Sequence, residues 1–310
     1  MKVTVRRSIP KLSLGLPVYN GESFLREALD SIVAQTFTDF ELVICDNAST
    51  DSTTDICRAY AATDLRIRYF RNESNHGVGW NHNRVFELSV SEYFKWCAAD
   101  DVMAPDYLSA CLDPLETHAD AVLCYSNASI IDDYGFAVED ERKGENSLDL
   151  PLDSLDLVIR FSSLLSAIQS RIIPFYGVIR SIALRRVRPH GNYLASDRCL
   201  VAELSLIGPF LRVPETLFYR RRHAKNSKKG NTEEMLVYAP SRPVRYAVRE
   251  WRVVFEHLAT VRRAPVSPRV KLKLLQALLR WVVGERRALR QEAKELIKDI
   301  ARHSLRGMQR

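Results

Sequence analysis

The sequence lacks several features that mark common protein classes. Its 310 residues contain no run of about 18 uncharged apolar residues, so we predict no membrane-spanning helix. The first residues, MKVTVRRSIPKL, lack the apolar core of a signal peptide, and there is no internal repeat or low-complexity segment. The six cysteines form no C-x-x-C pair and most lie in apolar patterns, which predicts reduced core thiols. These absences favour a soluble cytosolic protein.

The first half of the chain alternates strand and helix patterns. Strands are predicted at Leu12 to Val18, Phe40 to Cys45, Ile67 to Phe70, Tyr93 to Cys97 and Ala121 to Tyr125; helices are predicted at Phe24 to Val33, Thr53 to Ala61, Val78 to Leu88 and Tyr107 to Leu115. This order predicts an α/β fold with a mostly parallel sheet between helices, which binds ligands outside the carboxyl ends of its strands. Asn20, Asp46 and Asp100 follow three of these strands, so we expect them at one edge.

Two adjacent carboxylates, Asp100 and Asp101, directly follow the predicted strand Tyr93 to Cys97. Neighbouring carboxylates repel each other unless a cation lies beside them, and Mg²⁺ or Mn²⁺ is the simplest cation. Such an ion, held by one or two carboxylates, completes its shell with water and substrate phosphates. A helix N-terminus opened by Pro105 is the alternative, because acids stabilise that end of a helix.

Four ordered blocks make the chain resemble family 2 of the inverting glycosyltransferases, which has the GT-A fold. The blocks are PVYNGESFLREALDSIVAQTF, FELVICDNASTDST, NESNHGVGWNHN and the Asp100-Asp101 pair with Pro105 after it. The resemblance covers residues 11 to about 225. It implies a nucleotide-sugar site formed by Pro17, Tyr19, Asn20, Glu22, Asp46, Asn47, Ser49, Asn75, Gly77, Asn83, Ala99, Asp100 and Arg222. It also implies Mn²⁺ or Mg²⁺ on Asp100, Asp101 and His223.

The resemblance implies that Asp46 accepts a hydrogen bond from the base of the donor. A carboxylate can accept from the N3–H of uracil or thymine but leaves cytosine unpaired, so we expect a UDP- or dTDP-sugar. Two departures from the family pattern concern this region. Many members have Asp-Asp-Gly-Ser where this chain has Asp46, Asn47, Ala48 and Ser49, and Ala98 replaces the first acid of the Asp-x-Asp triplet.

The second half of the chain supplies a candidate base. Asp197 begins a predicted helix that extends to Leu206, and the resemblance implies that it is the catalytic base, with Glu203 as the second choice. The alternative for Asp197 is a charge that only stabilises the helix N-terminus. The resemblance further implies that Tyr176, Gly177 and Arg180 contact the acceptor. These parts predict a one-step displacement with inversion.

The positive charge lies in the last part of the chain. From Ser241 onward there are 18 Lys and Arg against 6 Asp and Glu, whereas the first 240 residues have 27 against 32. We therefore divide the chain into a catalytic domain at 1–235 and a basic helical region at 236–310, with helices predicted at Tyr246 to Leu258, Val270 to Val283 and Glu285 to Ile300. The apolar face around Trp281 either lies on an anionic membrane or packs on the catalytic domain or a second subunit.

Other functions fit the sequence less well. A processive synthase would need Gln-x-x-Arg-Trp and membrane spans, whereas QALLRW is one residue too long, so transfer of a single sugar is expected. A nucleotidyltransferase of related fold would need a glycine-rich basic loop after the first strand. Nucleic acid is not expected as a partner, because the acids at the sheet edge repel phosphates. A catalytically silent nucleotide-sugar-binding protein stays open because of Ala98. The family implies a glycan or lipid-linked acceptor of the cell envelope.

Overall fold

The computed structural model describes residues 9–138, 150–167, 173–222 and 249–307, with side chains as far as residue 298. Its strands are β1 Leu12–Val18, β2 Phe40–Asp46, β3 Ile67–Arg71, β4 Tyr93–Trp96, β5 Val102–Met103, β6 Leu123–Ile131, β7 Val178–Arg180 and β8 Phe210–Arg221. Its helices are α1 Leu25–Val33, α2 Thr53–Thr63, α3 Val78–Glu87, α4 Tyr107–Thr117, α5 Leu157–Ala167, α6 Ser181–Leu184, α7 Ser196–Leu204, α8 Arg249–Arg263, α9 Pro268–Gly284 and α10 Arg286–Gly307. The strands and helices predicted in the first half are all present.

All eight strands belong to one sheet, in the order β3-β2-β1-β4-β7-β6-β8-β5. The pairs formed by β1 with β2 and β4, by β2 with β3 and by β6 with β8 are parallel, whereas β7 is antiparallel to both of its neighbours and β5 is antiparallel to β8. The predicted mostly parallel sheet is therefore confirmed. The short strand β7 reverses direction between β4 and β6, so the carboxyl ends of β1, β2, β4 and β6 still meet at one edge.

The central strands β1, β2 and β4 are buried on both faces, as their apolar patterns require. Leu12, Leu14 and Leu16 of β1 point into the cluster on one face, which also contains residues of α1, α2 and α4. On the other face Gly15 allows close packing: a Cβ there would lie 2.6 Å from the Phe94 ring. The six cysteines are all buried and free, which confirms the prediction of reduced core thiols.

The helices near the end of the chain pack onto the rest of the protein through α5 and α7. Their shared core contains Phe161, Val261, Leu274 and Leu278, with Trp281 partly buried against it. This arrangement confirms the packing alternative for one side of α9. Trp281 lies on that inward side, so the exposed face of α9 does not contain it. No helix in the described ranges combines the length and apolarity needed to cross a bilayer.

Candidate active site

The loops that follow β1 and β2 are hydrogen bonded to each other at the carboxyl edge of the sheet. The backbone N–H of Asn20 donates to Ser49 Oγ at 2.9 Å, and Asn20 Oδ1 accepts from the backbone N–H of Thr50 at 2.9 Å. Glu22 Oε2 accepts from the backbone N–H of Ser52, also at 2.9 Å. These bonds bring three of the predicted nucleotide-binding residues together at one rim.

Three other predicted residues lie beside this rim. Tyr19 is 40% exposed at the end of β1, and Pro17 is half-buried within that strand. Ala99 is half-buried in the loop after β4, where a Cβ placed on Gly21 would lie 3.4 Å from the Ala99 Cβ. Small residues at this junction allow the β1 and β4 loops to approach closely.

Asp46 ends β2 but does not reach the surface of the site. Its side chain is completely buried. Oδ1 accepts from the backbone N–H of Ser49, and Oδ2 accepts from the hydroxyls of Thr54 and Tyr69, each at 2.8 Å. Arg71 Nε lies 3.6 Å from Oδ2. In this arrangement Asp46 holds the turn that follows β2, and the expected hydrogen bond to the donor base is not available to it.

Asn47 connects the β2 loop to the loop before α3. Its Oδ1 accepts from Asn72 Nδ2 at 3.0 Å and from the backbone N–H of His76 at 3.1 Å. Its Nδ2 donates to Asn75 Oδ1 at 2.8 Å and to the backbone carbonyl of Gly77 at 3.3 Å. A carboxylate cannot donate. The amide at position 47, where many family members have Asp, therefore matches the acceptors around it.

Gly77 and Asn83 shape α3 and its surroundings. Gly77 has φ +90° immediately before α3, a conformation that favours glycine. Asn83 Nδ2 donates to the carbonyl of His190, and Asn83 Oδ1 accepts from the N–H of His190, both at 2.8 Å. Because both ends of this amide are used, the structure gives Asn83 a positioning role for the segment before α7, in place of the predicted contact with the donor.

The described non-glycine residues with positive φ all lie at this edge. They are Asn20 at +50°, Ala48 at +63° and Ala195 at +67°. Asn tolerates the left-handed conformation, whereas alanine is strained there. Such strain is typical of functional sites. It also explains why family members have glycine at the position of Ala48.

The acid pair lies between β4 and β5, and neither carboxylate is part of a helix N-terminus. Helix α4 begins only at Tyr107, so the helix alternative for the pair is wrong. Asp101 is buried, and its Oδ1 accepts from the backbone N–H of Arg221 at 2.9 Å. Burial and the charge of Asp100 raise the pKa of Asp101 to about 7. Asp100 is half-buried, and its carbonyl accepts from Arg221 Nε at 3.0 Å.

Arg220 is the cation that faces these acids. Burial alone would lower the pKa of its guanidinium, but its neighbours raise that pKa above its ordinary value, and they are Tyr176, Asp101, Asp197 and Asp100. The same acids, with burial as the larger cause, raise the pKa of the Tyr176 hydroxyl. The acid pair, Asp197 and Tyr176 are therefore within electrostatic range of one arginine.

Asp197 lies in the first turn of α7, which starts after the strained residue Ala195. Ser196 Oγ is 2.9 Å from Nδ1 of His190, and the His190 ring stacks on His82 at 4.8 Å. Burial and the charge of nearby His190 lower the pKa of His82 to about 3, and burial lowers that of His190 to about 4. A pair of neutral histidines thus supports the start of the helix that carries Asp197.

Glu203 lies farther along α7 and faces the helices near the end of the chain. It accepts hydrogen bonds from Arg188 at 3.1 Å and from Arg263 at 3.0 Å. Arg188 also contacts Glu256 of α8. Glu203 is engaged in this ion-pair network on the far side of α7 from Arg220, which argues against it as the base.

Two of the residues predicted to contact the acceptor, Arg180 and Gly177, have other roles in the structure. Arg180 pairs with Tyr93 at the amino end of β4, and it donates to the carbonyl of Ala121 at 2.9 Å. It therefore does not reach the acceptor side, and that prediction is wrong. Gly177 is buried against the Cys124 carbonyl, 2.6 Å from where a Cβ would lie, so it serves packing.

Of the predicted basic residues, Arg222 is exposed and its N–H donates to the carbonyl of Ile131 at 2.8 Å. His223 falls outside the described residues. Arg220 was missed, although the alternation of side chains along a strand could have separated it from Arg221. The side chain of Arg221 points the other way and forms an ion pair with Glu27.

Lys95 is a second residue that the sequence analysis missed. It is completely buried in β4, where its Nζ donates to the carbonyl of Tyr176 and lies 4.5 Å from the Tyr107 ring centroid. Burial lowers the pKa of its ammonium group. This lysine fixes the backbone of Tyr176 beneath the acid pair.

The carboxylate ligands of the acid pair fit a hard divalent cation that takes its other ligands from substrate phosphates and water. Within the described ranges, no group of three or more His, Cys, Asp or Glu side chains is arranged to hold a metal ion. Asp100 and Asp101 supply carboxylate oxygens at adjacent positions, and Asp100 is half-buried whereas Asp101 is buried. Mg²⁺ and Mn²⁺ commonly use one or two carboxylates together with phosphate oxygens, so two acids are enough.

Known proteins resemble this chain in sequence and in fold. A model of the family "Glycosyl transferase family 2" matches residues 13–176. Chondroitin synthase of Escherichia coli is 26% identical over 224 residues, which are 72% of this chain and 30% of that protein. The uncharacterized glycosyltransferase RT0329 of Rickettsia typhi is 32% identical over 148 residues, 46% of this chain and 45% of that one. The chain thus spans less than half the length of these relatives.

Two solved structures have a similar fold. S. aureus TarS residues 1–349 in complex with UDP-GlcNAc aligns with a TM-score of 0.63 at 18% identity, over 93% of this chain and 81% of that one. The mannosyltransferase PcManGT of Pyrobaculum calidifontis, in complex with GDP-Man and Mn²⁺, aligns with a TM-score of 0.58 at 16% identity, over 95% and 76%. These likenesses confirm the GT-A fold expected from the sequence. Because the family model matches more than half of its length, the chain belongs to glycosyl transferase family 2.

Proposed function

We propose that this protein is a metal-dependent inverting glycosyltransferase that moves a single sugar from a UDP- or dTDP-sugar to an acceptor hydroxyl. The observation that carries the proposal is the electrostatic interaction of Arg220 with Asp197 and the acid pair, which places these charged groups near one another and near Tyr176. A base, a cation and a pair of metal ligands are the groups that a one-step sugar transfer requires.

Asp46 gives little support for UDP, because its carboxylate is buried and already accepts three hydrogen bonds. The choice of UDP is supported instead by the likeness to TarS, which binds UDP and UDP-GlcNAc. PcManGT, which binds GDP-Man, makes a guanine donor the alternative to test. The nucleobase of the donor would lie against the rim formed by Tyr19, Asn20 and Glu22.

The proposed chemistry uses the chain's own residues as follows. Asp197, in the first turn of α7, accepts the proton of the acceptor hydroxyl; this role is supported by the interaction of its charge with Tyr176 and Arg220. The oxygen attacks the anomeric carbon, the bond to the diphosphate breaks on the opposite face, and configuration inverts. Arg220 stabilises the negative charge that develops on the leaving diphosphate.

A divalent ion, when bound, would neutralise part of the diphosphate charge. Asp100 and Asp101 would hold it. Asp100 has the larger share of this role, because Asp101 Oδ1 already accepts from the backbone of β8. His223 is kept as a third proposed ligand.

The proposed acceptor is a glycan or a lipid-linked saccharide of the cell envelope, and the sugar is transferred to it at the cytoplasmic face. Tyr176 is kept as the proposed acceptor contact, which the interaction of its hydroxyl with the charge of Asp197 supports. The division into a catalytic domain at 1–235 and a basic helical region at 236–310 remains part of this proposal. The boundary itself falls in the range outside the described residues.

A donor screen that measures nucleotide release, with and without Mn²⁺, tests the proposal. With the donor that gives the fastest nucleotide release, the Asp197→Asn variant should retain donor binding, but its rate of sugar transfer should fall by roughly 10²-fold or more. Glu203→Gln is the matched control on the same helix, and it should keep transfer per folded molecule. Donor binding without turnover by the unaltered protein would instead indicate a silent nucleotide-sugar-binding protein.

A further inference from the structure

Helix α9 presents an exposed face with an apolar row and a basic row side by side. The apolar row consists of Leu272, Leu275, Leu279 and Val283, which are 57%, 40%, 62% and 52% exposed. Their spacing of three and four residues places them on one side of the helix, in a row about 17 Å long. The inward side, with Leu274 and Leu278, is already buried in the protein core. The exposed row therefore has no role in the packing that is described.

The basic row consists of Arg269, Lys273 and Arg280, all exposed. At 100° per residue, these three lie next to the apolar row on the outward side of the helix. The sequence of α9, PRVKLKLLQALLRWVVG, contains no acidic residue. The following helix, α10, begins with the exposed residues Arg286 and Arg287. The outward face is therefore both apolar and strongly cationic.

We propose that this face of α9 binds the surface of an anionic lipid bilayer. The apolar row would enter the boundary between headgroups and acyl chains, while the basic row contacts anionic headgroups. Long Arg and Lys side chains suit this position because their stems cover apolar surface while their charged ends reach the headgroups.

A second copy of the chain is the alternative occupant of this face. A symmetric dimer joins the same patch on both subunits. Two α9 helices joined in this way would bring basic rows together with no acid in either helix to pair with them. The charge of the face thus favours an anionic surface over self-association.

Co-sedimentation of the full chain with lipid vesicles tests the inference. We expect binding to phosphatidylcholine vesicles that contain about 30% phosphatidylglycerol, at low salt of about 50 mM. Binding should weaken at least about tenfold in about 0.5 M salt or on pure phosphatidylcholine. No donor is present, so a failure of this test would leave the proposed transferase function unaffected.

A matched pair of variants separates the α9 face from the general charge of the chain. Leu275→Glu/Leu279→Glu should lose vesicle binding by at least about tenfold, because charged groups replace the centre of the apolar row. The control, Leu65→Glu/Ile182→Glu, adds the same charge at exposed apolar positions outside the helices near the end of the chain and should bind like the unaltered protein. Circular dichroism verifies that both variants are folded.

Three results would overturn the inference. The first is a full chain that ignores anionic vesicles at low salt. The second is a Leu275/Leu279 variant that binds as tightly as the control. The third is that neither protein binds vesicles, while the unaltered protein self-associates and the Leu275/Leu279 variant is a monomer. The face would then be a subunit interface.

Discussion

His257 predicts how the stability of this protein depends on pH. It lies in α8, completely buried, with its ring between Phe161 and Trp281 at centroid distances of 6.0 and 5.7 Å. Within the described part of the chain, neither ring nitrogen has a hydrogen-bond partner. Burial, with a smaller effect of the Arg188 charge, lowers the pKa of His257 to about 3. The folded protein therefore holds this ring neutral at pH values well above 3.

The sign of the effect follows from the two states. An unfolded histidine takes up a proton near pH 6.5, whereas folded His257 does not until the pH falls to about 3. As the pH falls below 6.5 the unfolded state binds more protons, so folding stability decreases. Between pH 8 and pH 5 this single group should lower the free energy of unfolding by about 2 kcal/mol.

The assay is urea unfolding of the full chain at pH 8 and pH 5, followed by circular dichroism, for the unaltered protein and His257→Leu. The variant should lose about 2 kcal/mol less than the unaltered protein between the two pH values. Some dependence remains in both, because His82 and His190 also have lowered pKa values and act in the same direction.

Leu274→Ala is the control from the same cluster. It should lower stability by about 2–5 kcal/mol at both pH values without changing the difference between them. If His257→Leu and the unaltered protein lost the same free energy between pH 8 and pH 5, the buried neutral state inferred for His257 would be refuted.

Three further predictions concern the site. Ala48→Gly should raise the free energy of unfolding by about 1 kcal/mol, because φ is +63° at this position, and an unchanged unfolding midpoint would contradict the strain. Asp100→Ala should abolish the Mn²⁺-dependent part of UDP binding in calorimetry, since Ala98 leaves no acid at the first position of the triplet; unchanged affinity would remove Asp100 from the metal site. Arg220→Ala should weaken UDP binding by roughly tenfold or more, and an unchanged affinity would count against Arg220 as the phosphate contact.

The sequence by itself determined the sheet and the edge at which the site forms. Buried strands such as Leu12–Val18 and Phe40–Asp46 follow from short apolar runs that end in turn residues, and parallel strands necessarily bring their carboxyl ends to one edge. The acid pair was predicted at this edge from the order of residues along the chain, whereas Asp197 was predicted as the base only from the resemblance to the family. The buried thiols followed from the same apolar patterns.

Only the tertiary structure decided which polar side chains are available to a ligand. Asp46, Asn83 and Arg180 are residue types that often contact ligands. In the structure, however, the polar atoms of each side chain form hydrogen bonds with groups distant in sequence. Conversely, Arg220 of β8 and Lys95 of β4 are candidate site residues because the fold brings both near Tyr176, which is distant from them in sequence. Hydrogen-bond satisfaction depends on long-range contacts, which periodicity along a single chain does not encode.

The same reason applies to α9. Its sequence is apolar over most of its surface, but only packing against α5 and α8 divides Leu274 and Leu278, which are buried, from Leu275 and Leu279, which are exposed. The sequence determined that this helix is amphipathic and basic. The contacts of its neighbours decided which apolar residues are left at the surface, because burial is a property of the assembled fold.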